Sequence, residues 1–234
     1  MKDHITEVVS HYKGQSVYNN GTYRSSVFYD TIGPAYIPIA FSAAAEADPD
    51  AKLYYSDFAI ELPGPKARAA VEIVKLIQAY EVKIDGVGIQ GHFDHSVMPP
   101  QAHYELDSMA TYDEQVAVME QNISLGVEVA ITEMDASVLT PITPANETIY
   151  DTQPEVYYNA TAACLTFKEC VGITIWDWTD RYTWVPTVFP DMGDALPWDK
   201  DLVKKPAYDG IMRAFTSFEP SAGTGGRRAV VGKT

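Results

Sequence analysis

Residues Val127–Glu133 read VEVAITE, a short apolar and β-branched run that ends in an acid and continues as Met134-Asp135. Such a run is the pattern of a strand buried on both faces, as strands of parallel sheets are. On either side of it the pattern recurs, in Lys52–Asp57 (KLYYSD), Gly86–His92 (GVGIQGH) and Val171–Asp177 (VGITIWD). The starts of the four runs lie roughly 34 to 44 residues apart, which is room for a strand plus a crossover helix. The chain is a βα series.

The segments between the runs carry helix signals. In the first, Pro65 stands near the start and Ala70, Ile73, Val74, Ile77 and Tyr80 form one apolar stripe. The second opens with Thr111 and Glu114 at capping-box spacing, carries Val116, Met119 and Ile123 on one face and stops at Gly126. The third repeats the device with Thr152 and Glu155, followed by Val156, Ala160, Ala163 and Phe167. A helix over about 36–47 precedes the first strand, and one over 206–215 closes the set. Beyond Pro220 the tail SAGTGGRRAVVGKT is Gly-rich and polar, a flexible end. Residues 1–220 are read as the folded domain and 221–234 as this tail.

Parallel strands with helices between them suit a doubly wound sheet or a barrel. The turn after the first strand, KLYYSDFAIELPGPK, has no GxGxxG or GxxxxGK loop, which counts against nucleotide binding. Seventeen basic residues against 32 acidic ones leave a net charge of −15, which argues against nucleic acid or an anionic membrane as partner. Neutral ligands remain. No apolar run approaches the roughly 20 residues of a membrane-spanning helix. The opening MKDHITEVVSHYKG has no apolar stretch of the signal-peptide kind, so either the chain is cytosolic or its true start lies elsewhere. Four Asn-x-Ser/Thr sequons, at Asn20, Asn122, Asn146 and Asn159, point instead to a secretory route. Cys164 and Cys170 are too few for a disulfide scaffold or a four-ligand zinc site, and allow one bridge.

In both α/β architectures the ligand lies at the carboxyl ends of the strands. Those ends carry Asp57; Gln90 and His92; Glu133 and Asp135; and Trp176, Asp177 and Trp178. Side chains alternate along a strand, so Gln90 shares a face with His92, and Glu133 with Asp135 if the strand persists. Carboxylates for glycosidic chemistry, polar donors for hydroxyls and flat indoles for pyranose faces make up a sugar site. Taken singly, a Glu at a strand end is a solvated loop residue and a Trp is core. Their coincidence at successive strand ends is what points to a ligand.

The strings KLYYSDFAIE, GVGIQGHF, ITEMDAS, GITIWDWTDRYTWVP and WDKDLVKKPAYDGI resemble the last four strands and final loop of glycoside hydrolase family 10, the endo-1,4-β-xylanases, fungal members in particular. The likeness covers roughly residues 1–219. It implies an α/β fold, a (β/α)8 TIM barrel of which this chain holds the last four to five βα units. It also implies retaining hydrolysis of internal xylan bonds without metal or organic cofactor, on xylan or xylo-oligosaccharides, by a secreted monomer. Glu133 matches the nucleophile, His92 the histidine that bonds it, and Asp135 the acid that orients this histidine, a pairing that would hold Glu133 ionised and aimed. Gln90, Trp176 and Trp184 match residues lining the sugar subsites. Cys164 and Cys170 match a short bridge of the fungal members, in keeping with an oxidising compartment.

The likeness also has gaps. Retaining glycosidases use two carboxyl groups about 5–5.5 Å apart. The family takes its acid/base Glu from a strand reading approximately WDVVNE, between HYKG and DG(T/S)(Y/L)R segments. Here His11–Gly14 is followed within a few residues by Asn20-Gly21-Thr22-Tyr23-Arg24, and only QSVYN lies between. The strand and its acid are missing as one block, and weak or absent activity is expected. Where the family reads YNDYN, this chain reads Tyr55-Ser56-Asp57-Phe58-Ala59. Asp57, Glu61, Asp94 and Asp177 are the acids positioned to substitute, each with an ordinary loop or supporting role as the favoured alternative. A glycan-binding remnant without catalysis is the competing function. A metal site of His92, Asp94, His95 and His103 is disfavoured, because barrel metal sites draw ligands from several strands.

Overall fold

The structure, a computed structural model, describes residues 16–94, 110–142 and 147–217. The HYKG segment, His95, His103, Asn146 and the Gly-rich tail lie outside them. In chain order the elements are α1 (Val27–Ile32), α2 (Tyr36–Ala47), β1 (Tyr54–Asp57), α3 (Pro65–Ala79), β2 (Gly86–Ile89), β3 (His92–Asp94), α4 (Tyr112–Ile123), β4 (Glu128–Leu139), α5 (Glu147–Thr166), β5 (Cys170–Ile175), α6 (Val185–Val188), β6 (Met192–Gly193) and α7 (Pro206–Ser217).

Strands β1, β2, β4 and β5 form a parallel sheet in that order, with Asp57 opposite Ile89 and Ile89 opposite Ile131. Each connection is a helix, as parallel neighbours require. The core lies between sheet and helices. Ile73 and Ile77 of α3, Val118 and Met119 of α4, and Tyr157, Ala160 and Ala163 of α5 are buried with Val87, Val129 and Ile131. Each large aliphatic side chain so buried contributes about 1.5–3 kcal/mol before the cost of ordering.

Local signals held where they were strongest. Thr111 caps α4 in a two-way capping box with Glu114, and Pro65 occupies the first turn of α3. Tyr80 departs from the expected stripe: it caps α3 and is 52% exposed, because the helix ends before its turn faces the core. The expected start of α5 at Thr152 is also corrected. The helix begins at Glu147, so Thr152 and Pro154 fall inside it. A proline there costs one backbone hydrogen bond, and tertiary contact outweighs that loss. Gly210 of α7 lies so close that a Cβ on it would sit 2.1 Å from the Pro154 carbonyl oxygen.

Two strands differ from their expected form in ways that shape the site. The Gly86–His92 run breaks after Ile89 and resumes as β3, because Gly91 adopts φ 75°. A Cβ at Gly91 would lie 2.9 Å from Ile131, so both backbone and space demand glycine. Strand β5 was expected to be buried, yet Val171 is 53% exposed and Gly172 and Thr174 are open as well. Among the described residues β5 pairs on one side only, with β4. The first strand, β1, likewise pairs only with β2.

Candidate active site

Strand β4 persists through Asp135, and its far end is held by short β6 running antiparallel to it. Glu133 and Asp135 therefore stand on one face. Parallel pairing sets His92 of β3 opposite Asp135. Backbone bonds lock these strand ends: Gln90 N–H donates to Asp57 O, Glu133 N–H to Gln90 O and Asp135 N–H to Gly91 O.

The imidazole of His92 spans the two acids. Its Nδ1 lies 2.9 Å from Asp135 Oδ2 and its Nε2 lies 3.6 Å from Glu133 Oε2. The first is a hydrogen bond; the second is an ion-pair contact just beyond hydrogen-bond length. Burial alone would lower the pKa of His92, but the carboxylates of Asp135 and Glu133 outweigh it and raise the value to about 9. The ring is therefore cationic at neutral pH, with Asp135 2% and Glu133 7% exposed beside it. One proton on each ring nitrogen fixes the imidazole between a rear acid and a forward one.

Trp184 completes the cluster. Its indole N–H donates to the same Asp135 Oδ2 at 2.9 Å, and its ring meets His92 edge-on at 5.1 Å between centroids. The indole sits at the head of α6 above a small second core of Val185, Met192, Ala195 and Leu196. That loop is anchored from below: Tyr157 Oη donates to Ala195 O, Gln153 Nε2 to Ala136 O and Asp194 O, and the buried pair Lys205–Asp180 closes at 2.8 Å.

The other expected site residues are placed less tightly. Gln90 is buried at the end of β2. Trp176 follows β5, is 40% exposed and is fixed by its backbone N–H on Met134 O. Cys164 and Cys170 form a disulfide that ties the end of α5 to the start of β5.

Of the acids positioned to substitute for the missing one, Asp57 is sealed. It is fully buried, pairs with Lys66 Nζ at 2.8 Å and accepts from Tyr55 Oη and Phe58 N–H. Lys66 itself lies over the Phe58 ring at 3.3 Å. Sequence reasoning missed this lysine, and its place one residue after the helix-starting Pro65 was the available signal. Asp177 is exposed with φ 59°. Glu61 is 8% exposed; burial raises its pKa, while backbone N–H donors and the charges of His92 and Lys66 oppose the rise. Among the described residues no group of three or more His, Cys, Asp or Glu could hold a metal ion.

A buried carboxylate aimed by a cationic histidine, at the carboxyl side of a parallel sheet and flanked by indoles, is suited to nucleophilic attack on a sugar. Comparison with known proteins gives the same direction. The family description "Glycosyl hydrolase family 10" matches residues 1–214. Endo-1,4-beta-xylanase D of Talaromyces funiculosus is 50% identical over 226 residues, covering 93% of this chain and 52% of that protein. Endo-1,4-beta-xylanase A of Humicola insolens is 42% identical over 92% of this chain and 56% of its own length. The chain thus spans about half the length of the curated relatives it matches. In solved structures, a GH10 xylanase from Bispora sp. MEY-1 with xylobiose superposes with a TM-score of 0.76 at 35% identity, over 91% of this chain and 66% of that one. Xylanase 10B from Thermotoga petrophila RKU-1 with xylobiose gives 0.76 at 34% identity, over 91% and 64%. With the family description spanning both the βα series and the His92–Glu133–Asp135 cluster, the chain belongs to glycosyl hydrolase family 10.

Proposed function

We propose that this chain carries the nucleophile half of a retaining endo-1,4-β-xylanase, acting on β-1,4-xylosidic bonds of xylan or xylo-oligosaccharides. Glu133 attacks the anomeric carbon and forms a covalent glycosyl-enzyme. His92 and Asp135 orient it, and Gln90, Trp176 and Trp184 line the sugar subsites. The observation that carries this reading is His92 held between Asp135 and Glu133, a geometry with no purpose in packing alone. The printed names of the relatives agree with the substrate. The sequons and the Cys164–Cys170 disulfide support an extracellular parent enzyme.

The reading includes a defect. We read the strand bearing the family's acid/base Glu as missing between Gly14 and Asn20, and the sheet β1-β2-β4-β5 as part of the last four to five βα units of an incomplete barrel. Glycosyl transfer to Glu133 then lacks a proton donor for the departing sugar oxygen. Xylan, whose leaving group is a poor one, is cleaved weakly or not at all. An aryl xylobioside with a dinitrophenolate leaving group needs no proton, so its first step survives.

The test uses that contrast. Dinitrophenyl 2-deoxy-2-fluoro-xylobioside is incubated with the chain, which is then digested and mapped by mass spectrometry. The expected result is a fluoroxylobiosyl adduct on Glu133, with little reducing sugar released from xylan in parallel. A chain that binds xylohexaose in calorimetry yet gives neither adduct nor sugar is a binding remnant, and the enzymatic reading fails.

A further inference from the structure

Three of the four sequons lie on described residues, and the fold treats them differently. Asn122, in the last turns of α4, is 1% exposed and its Nδ2 donates to Val118 O at 2.9 Å. Asn159, within α5, is half-buried and its Nδ2 donates to Ala110 O. At both places the nitrogen that a glycan would occupy is turned into the protein and already bonded.

Asn20 is the opposite case. It is exposed, at the tip of a small hairpin in which Val17 bridges Tyr23 and Tyr18 N–H donates to Thr22 O. Its side-chain Oδ1 accepts from Thr22 N–H at 3.0 Å and from Thr22 Oγ1 at 2.7 Å. These bonds use only Oδ1, so among the described contacts the Nδ2 that would carry the sugar is not turned into the protein. The hairpin is pinned from behind. Gly21 has φ 82°, and a Cβ there would lie 2.7 Å from Pro65 O, so the turn rests on the start of α3 and holds Asn20 outward. Arg24 Nε on Val17 O closes the base. Tyr18 at 45%, Val27 at 71% and Phe28 at 39% exposure leave apolar surface nearby in sequence for a sugar to cover.

We propose that Asn20 is an N-glycosylation site of this protein, and that Asn122 and Asn159 are excluded from carrying a glycan by the fold. The donor is a lipid-pyrophosphate-linked oligosaccharide. Asn20 Nδ2 forms a bond to the anomeric carbon as the carbon–oxygen bond to the pyrophosphate breaks; Nδ2 gives up one proton and the lipid pyrophosphate departs. Because sugar is added before folding is complete, the fold acts afterward. A chain modified at Asn20 still folds, while one modified at Asn122 must leave its core amide in solvent.

The full chain is directed into the secretory pathway of a yeast behind a secretion leader. Secreted and cell-associated pools are then treated with peptide N-glycosidase in heavy-oxygen water, and the sites are mapped by mass spectrometry. Heavy-oxygen Asp is expected at position 20 in most molecules of both pools, and at 122 and 159 in none of the secreted ones. Asn20→Gln and Thr22→Val should each abolish the signal at position 20, and Thr22→Ser should keep it, which separates loss of the sequon from loss of the hairpin. An unmodified Asn20 in both pools, or a glycan on Asn122 or Asn159 in secreted protein, overturns the proposal. None of these outcomes bears on catalysis, so the xylanase reading stands or falls separately.

Discussion

Two acid–cation clusters with buried carboxylates stand at the carboxyl side of this sheet, and they have opposite characters. At the end of β1, Asp57 and Lys66 are 0% and 2% exposed, and every neighbour named above closes them in. At β3 and β4, His92 keeps 20% of its side chain open while holding Asp135 behind it and Glu133 in front. A sealed pair satisfies its own charges and offers none to a ligand. In the open cluster one proton carrier is divided between two acids, and the forward acid faces the strand ends. Burial of charge alone therefore does not mark chemistry; an asymmetric, partly open cluster does.

The contrast breaks most decisively at Glu133. Glu133→Gln is expected to lower the first-step (burst) release of dinitrophenolate from dinitrophenyl xylobioside by about a thousandfold or more, the scale on which a lost nucleophile is read. Unfolding midpoints in urea should remain within roughly 1 kcal/mol of the parent, because Gln fills the same space. A large stability loss with retained dinitrophenolate burst would reverse the roles assigned to the two clusters.

At the sealed cluster the expectation is inverted. Lys66→Met strands Asp57 in the core and should cost about 3–5 kcal/mol, with no change in the rate per folded molecule. Asp57→Asn combined with Lys66→Met should recover much of that loss. Urea titrations of both single variants and the double one give the coupling directly; strict additivity would mean that the pair carries no interaction.

How far the sequence disclosed this difference depends on the residue. The βα order and the carboxyl-end positions of His92, Glu133 and Asp135 were legible because alternation and helix stripes follow backbone periods. The break at Gly91 was less so, since one left-handed glycine inside an apolar run looks like any strand glycine until Ile131 is found against it. Lys66 was hard to read as a buried residue: its place just after Pro65 located it at the helix start, but a lysine there is ordinarily solvated, and its partner on β1 explains its burial. The start of α5 was misplaced because Thr152 and Glu155 satisfy a local capping rule that packing of α7 against Pro154 overrides. Trp184 entered only through the family resemblance, since it lies beyond the strand ends, and its bond to Asp135 depends on how the loop before α6 folds back.

The open cluster also makes stability depend on pH, with a predictable sign. The pKa of His92 is about 9 in the folded chain against about 6.5 for a free imidazole, so the folded state binds the proton more tightly. The contribution is fully present below pH 6.5 and fades as pH rises toward 9. At roughly 1.4 kcal/mol per pKa unit it is on the order of 3 kcal/mol at most, less any screening by solvent. Urea unfolding at pH 6 and pH 9 should show this loss in the parent and not in His92→Gln. An unchanged slope in that variant would assign the pH dependence to other groups.

The smallest effect sharpens the contrast within the open cluster itself. Trp184→Phe keeps an aromatic ring beside His92 but removes the N–H that donates to Asp135 Oδ2. Loss of a hydrogen bond to a charged acceptor in a half-buried position should cost about 1.5 kcal/mol. Because that oxygen also receives the His92 proton, removing its second donor concentrates negative charge there and strengthens the remaining bond. The His92 pKa is then expected to rise, read from its ring proton in an NMR titration. A purely structural indole would lower stability and leave the imidazole titration where it was, whereas an upward shift means that Trp184 sets the charge Asp135 presents to His92, and through it the electrostatic setting of Glu133.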